Sequence, residues 1–129
     1  GNHCSFAPQG GPWPSHCVAY TQGAGLADEF AGILASDKAK LFFKGNQVDK
    51  EQYGAFEDLT DGCIYNWLTN AESIDVCGIA GDYCVKESTA NILKLVSAEK
   101  VAVLMDCVRS IDDGSTIEAF IAENGIARK

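Results

Sequence analysis

Positive charge is scarce in this chain of 129 residues: Lys and Arg number 10 against 18 Asp and Glu, for a net charge of −8. Nucleic acid and anionic membrane surfaces both reward clustered cations, so neither is expected as a partner. Long apolar runs are missing as well. The longest, Val101 to Met105, falls far short of the roughly 20 residues that cross a bilayer. No charged-then-apolar leader opens the chain, so no secretory signal is visible. There is no initiator Met; the chain starts Gly-Asn-His-Cys, as expected if it begins partway into a longer protein. Histidine is confined to His3 and His16, and the three prolines all lie before residue 25.

What is present describes a globular protein. Apolar residues make up 47% and charged residues 22%, which fits one soluble domain over residues 1–129. The six cysteines are an even number and invite a disulfide framework. Disulfide scaffolds, however, are small, loop-rich and secreted. Cys77 and Cys107 lie in or beside apolar strand-like runs, where free cysteine acts as a small hydrophobe. A reduced, cytoplasmic chain is therefore expected.

Periodicity places the elements. The first 25 residues, rich in Gly and Pro, read as a long loop, and loops of that length are usually functional. Leu26, Phe30 and Leu34 share one face of a helix spanning 26–34. Lys40–Phe43 reads as a short strand and Gly62–Leu68 as a helix. Ile74–Ile79 reads as a buried strand. A helix from about Tyr83 to Val96 follows, with Asp82 as its N-cap. Val101–Met105 is a continuous apolar run rich in β-branched residues, as in strands covered on both faces. A last helix has Ser115 and Glu118 at capping-box spacing, Ile117, Phe120 and Ile121 as its stripe, and Asn124-Gly125 as its stop. Strands alternating with helices predict βαβ units around a parallel sheet.

Within this frame Cys84 is the strongest chemical signal. It follows a strand and a tight Ala80-Gly81-Asp82 turn and opens a helix. Helix N-termini present unpaired N–H groups and partial positive charge, which lower a thiol's pKa and favour the thiolate. The same N–H groups can hold an oxyanion, and strand carboxyl ends are where open α/β sheets place ligands. A cysteine merely packed beneath the helix remains the alternative. Lys44, ahead of Gly45, could steady a thiolate from a neighbouring strand end or could be an ordinary solvated lysine. The pairs His3-Cys4 and His16-Cys17 could form a zinc site, although their order matches no finger pattern. Trp13 could stack on a flat ring or plug the loop onto the core.

These residues together carry a resemblance. Trp13-Pro14-Ser15-His16-Cys17-Val18 resembles the W-P-x-H-C-V segment of nicotinamidases, within the isochorismatase-like cysteine hydrolase superfamily. Asn2-His3-Cys4-Ser5-Phe6 resembles the tail of that family's D-x-H-P-x-x-H-x-S-F segment. Phe43-Lys44-Gly45 and Tyr53-Gly54-Ala55-Phe56 resemble its K-G and Y-S-A-F segments. Val76 to Val85 resembles its V-x-G-x-A-x-D-x-C-V nucleophile segment. The segments are co-linear and span nearly the whole chain.

The resemblance implies a three-layer α/β/α fold with a mainly parallel sheet. It implies Cys84 as nucleophile, Lys44 as catalytic lysine, and the N–H groups of Ala80 and Cys84 as oxyanion hole beside a cis Ile79–Ala80 bond. It also implies His16 and His3 as ligands of a divalent metal ion, zinc first, with iron or manganese open. Trp13 and Tyr53 would line a pocket for the pyridine ring. The implied reaction takes nicotinamide, or pyrazinamide, to the acid and ammonia through a cysteine thioester, within NAD salvage and pyridine nucleotide biosynthesis. The alternatives are hydrolysis of another small amide or of an isochorismate-type substrate, and an inactive truncated member.

The family's catalytic aspartate, its first strand and its Asp-x-His all fall upstream of the matched segments. Without that central strand the chain is expected to fold poorly, to pair with a second copy, or to be completed by an N-terminal segment.

Overall fold

A computed structural model describes residues 2–129. The chain divides into two compact units, Gly1–Gln52 and Tyr53–Lys129.

The first unit is built largely from loops. The backbone of Phe6 pairs with that of Trp13 in an isolated parallel bridge. The Trp13 N–H donates to the Ser5 carbonyl at 3.0 Å, and the Ala7 N–H donates to the Trp13 carbonyl at 2.6 Å. Ser5 and Phe6 are buried. Gly11 makes this approach feasible: a Cβ there would collide with the backbone of Cys4 and Ser5.

Two expectations fail in this unit. The helix over 26–34 is only a 3-10 turn at Asp28–Phe30 and a single turn, α1, at Ala31–Leu34. Leu26, Phe30 and Leu34 are 52%, 49% and 41% exposed, and without a surface to pack on, a short helix cannot propagate. Lys40–Phe43 forms no strand. Leu41, Phe42 and Phe43 are exposed, and a lone extended segment has no ladder to stabilise it.

The second unit holds the sheet. Helix α2, Gly62–Asn70, is capped by the Asp61 carboxylate, which accepts from the Cys63 and Ile64 N–H groups. Then come β1 (Ile74–Ile79), a wide turn (Gly81–Val85), α3 (Lys86–Leu93), β2 (Val101–Arg109), α4 (Ser115–Asn124) and β3 (Ala127–Arg128). All pairings are parallel, in the order β1-β2-β3. The expected βαβ architecture is thus observed, because a parallel neighbour requires a crossover and the helices supply it.

The core gathers Val85, Ile92, Val101, Val103, Ile117 and Ile121. Val101, Ala102 and Val103 are buried in succession; since neighbouring side chains in a strand face opposite ways, both faces are covered at that point. Strand β1 departs from its expected full burial. It alternates half-buried and exposed residues, Cys77 is exposed, and its ladder with β2 shifts register between Val76 and Gly78. Cys107 is exposed too, so neither strand cysteine acts as a core hydrophobe; no disulfide joins the six cysteines.

The start of α4 also differs from expectation. Gly114 is the N-cap, at φ +90°, so Ser115 is already the first helical residue and cannot act as the cap. Two aspartates replace the capping box. The Asp112 carboxylate accepts from the Gly114 and Thr116 N–H groups at 2.8 and 3.2 Å, and the Asp113 carboxylate accepts from the Ser115 N–H at 3.0 Å. Glu118 pairs instead with Arg128 at 2.9 Å. The Thr116 side chain holds the Asp112 carboxyl below its usual range, and the Ser115 side chain does the same for Asp113.

Two outcomes follow for stability. Ile117, fully buried, should lose about 2–5 kcal/mol on substitution by Ala, read from urea unfolding. Asp112→Ala should destabilise at neutral pH. A carboxylate lowered in the folded state contributes above its unfolded value, near 3.8, and loses that contribution as pH falls through the folded value. The gap between wild type and Asp112→Ala in unfolding midpoint should therefore close below about pH 4.

Candidate functional site

In the second unit, β1 ends at Ile79, and a cis peptide bond joins Ile79 to Ala80, as the resemblance implies. The chain then makes a π-type turn over Gly81–Val85. The Val85 N–H donates to the Ala80 carbonyl at 3.0 Å, and the Lys86 N–H donates to the Gly81 carbonyl. Such wide turns are rare and concentrate at functional sites. Cys84 is half-buried inside this turn, two residues before α3 begins in regular form at Lys86.

Gly81 has no room for a side chain, since a Cβ would meet Val108 and Ser110 at the end of β2. Asp82 is not the N-cap expected of it. It sits inside the turn, buried, and its two carboxylate oxygens accept from the Ile111 and Asp112 N–H groups, each at 2.9 Å.

Tyr53 reaches the same end of α3. The Ala55 N–H donates to Ser88 Oγ at 3.0 Å, and the Phe56 N–H donates to Asn91 Oδ1 at 3.0 Å. The segment is thereby laid along the helix, and the Tyr53 ring lies 5.2 Å from that of Tyr83. Sequence reasoning missed Ser88, Asn91 and Tyr83. The available signal was Asn91, a residue that competes with helical bonding and earns a mid-helix place only by bonding elsewhere.

The first unit carries the other named residues. His3 and His16 flank Phe6, with ring centroids 5.7 and 5.3 Å from it. His16 is exposed, and its Nδ1 lies 2.7 Å from the Pro14 carbonyl. A carbonyl only accepts, so Nδ1 carries the proton and the Nε2 lone pair is left for a cation. His3 has the opposite tautomer: its Nδ1 accepts from the Ser5 N–H at 3.2 Å, which leaves the proton on Nε2. That Nε2 is buried, and no partner reaches it among the described residues. The donor chemistry of His16 thus fits a divalent cation directly, whereas His3 must first move its proton. Among the described residues no group of three or more His, Cys, Asp or Glu is placed to enclose a metal ion.

Trp13 is half-buried beside Phe6. Lys44 lies in a loop instead of at a strand end. Its Nζ donates to the Gln52 carbonyl at 3.1 Å, while Gln52 Oε1 accepts from the Gly45 N–H at 3.0 Å.

No family model matches the chain. It is 33% identical over 106 residues to the nicotinamidase of Saccharomyces cerevisiae, an alignment covering 78% of this chain and 48% of that protein. It superposes on the pyrazinamidase of Pyrococcus horikoshii, solved in complex with zinc, with a TM-score of 0.77 at 32% identity over 99% of this chain and 68% of that one. The chain belongs to the nicotinamidase/pyrazinamidase family. Another family member, PnC1 of L. infantum solved with nicotinate, gives a TM-score of 0.80 at 30% identity, covering 99% of this chain and 65% of that one. The chain therefore spans about half to two thirds of the length of these relatives.

Replacing Gly81 by Ala should displace the turn against Val108 and Ser110. A fall of more than about fivefold in the iodoacetamide reactivity of Cys84, read by peptide mass spectrometry, is the expected outcome.

Proposed function

We propose that the protein is an amidohydrolase acting on nicotinamide and pyrazinamide, with the two units as portions of one hydrolase domain. The observation that carries this reading is Cys84 in the turn between β1 and α3, in a chain that aligns with nicotinamidases. Cys84 would react as the thiolate, the nucleophilic form of a cysteine side chain. It attacks the carboxamide carbon, the Ala80 and Cys84 N–H groups hold the resulting oxyanion, and the C–N bond breaks as the nitrogen takes up the proton given up by the Cys84 thiol and leaves as ammonia. Water then cleaves the thioester and frees the acid.

Lys44 is assigned the role of cationic partner to the thiolate. Tyr53 and Trp13 are assigned to the aromatic ring, a reading supported for Tyr53 by its contact with Tyr83. His16 would hold a divalent cation through Nε2, with His3 beside it; such an ion, when bound, supplies a Lewis-acid anchor for the pyridine nitrogen. The zinc and nicotinate complexes of the relatives support this assignment.

The test is ammonia release from nicotinamide and pyrazinamide by the natural protein. Cys84→Ala should lower turnover by at least about a thousandfold, and Lys44→Ala by on the order of a hundredfold. Turnover unchanged in Cys84→Ala would remove the nucleophile. His16→Ala should lose bound metal as measured by elemental analysis, whereas a metal content equal to wild type would count against the cation site.

A further inference from the structure

We propose that Asp82 is a positioning residue for Cys84, acting as a two-pronged clamp that orients the turn over the end of β2. This rests on the reading of Cys84 as nucleophile. The turn's internal hydrogen bonds, Val85 N–H to the Ala80 carbonyl and Lys86 N–H to the Gly81 carbonyl, set its shape. They do not set its tilt relative to the sheet. Asp82 does so from within the turn, two residues before Cys84.

Asp82 is 8% exposed, and each carboxylate oxygen takes one backbone N–H from consecutive residues, Ile111 and Asp112, at 2.9 Å. A buried carboxylate without donors would be strongly unfavourable, and two charge-assisted bonds to adjacent amides offset that cost while fixing both position and rotation. Gly81 supplies the third point of support by lying directly on Val108 and Ser110. The segment leaving β2 thereby grips the turn, and the sulfur and the N–H groups beside it move only if that grip is broken.

Asp82→Asn keeps the shape but leaves one oxygen where there were two, and aims an NH2 group at a backbone N–H. In the natural protein, with melting temperature followed in parallel, Cys84 alkylation by iodoacetamide should slow about tenfold, while the other five cysteines stay within about twofold. For nicotinamide, kcat should fall ten- to a hundredfold, with KM within about threefold, because misplacing the nucleophile affects the reacting geometry more than ring binding.

An unchanged or faster Cys84 alkylation in folded Asp82→Asn overturns the proposal, as does an activity loss that only follows the loss of folded protein. If Asp82→Asn does not fold, Ile111→Pro decides. It deletes one of the two donors at an exposed residue while keeping the carboxylate, and the same slowing is expected. If wild type releases no ammonia from either amide, the functional reading fails, and the alkylation comparison still decides the role of Asp82.

Discussion

A five-residue turn closed by the Val85 N–H on the Ala80 carbonyl is the constraint on which the placement of Cys84 depends. An ordinary α-turn after β1 would pull the chain in one residue sooner and carry Cys84 round to a different face. The wider ring delays the regular helix until Lys86. The cysteine is thus left half-buried within the turn. The neighbouring Val85 anchors the turn in the apolar core.

That turn in turn needs the far end of β2. The shift in ladder register near Cys77 lets Gly78 and Ile79 align with Val108 and Arg109. The residues after Val108 then lie against Gly81 and Asp82. A parallel sheet is suited to this arrangement, because the crossover through α3 brings the carboxyl ends of β1 and β2 to the same edge.

The α/β class and the parallel pairing were readable from the sequence, because their signals are local and agree with one another. Val101–Val103 is continuously apolar, with β-branched residues at both ends, and it is covered on both faces. Gly125 ends α4 in the left-handed region, as its position after Asn124 implies. The first unit was misread because an apolar stripe at Leu26, Phe30 and Leu34, or a run at Leu41–Phe43, is only a request for a packing partner. Asp82 was misjudged for a related reason. An Asp before a helix is read as a cap, but the N–H donors its carboxylate accepts from lie 29 and 30 residues downstream, a separation that no local pattern encodes. The start of α4 was misread by a single residue, since Gly114 took the cap and the side chains of Asp112 and Asp113 took the bonds.

The tether between α3 and the segment carrying Tyr53 has a mechanical consequence. Ser88 and Asn91 lie on the helix whose approach holds Cys84, and they grip the backbone at Ala55 and Phe56. Sulfur and phenol ring therefore ride on a single strut. Thermal tilting of that strut would carry both groups along, so the gap between them is insulated from breathing of the surrounding loops.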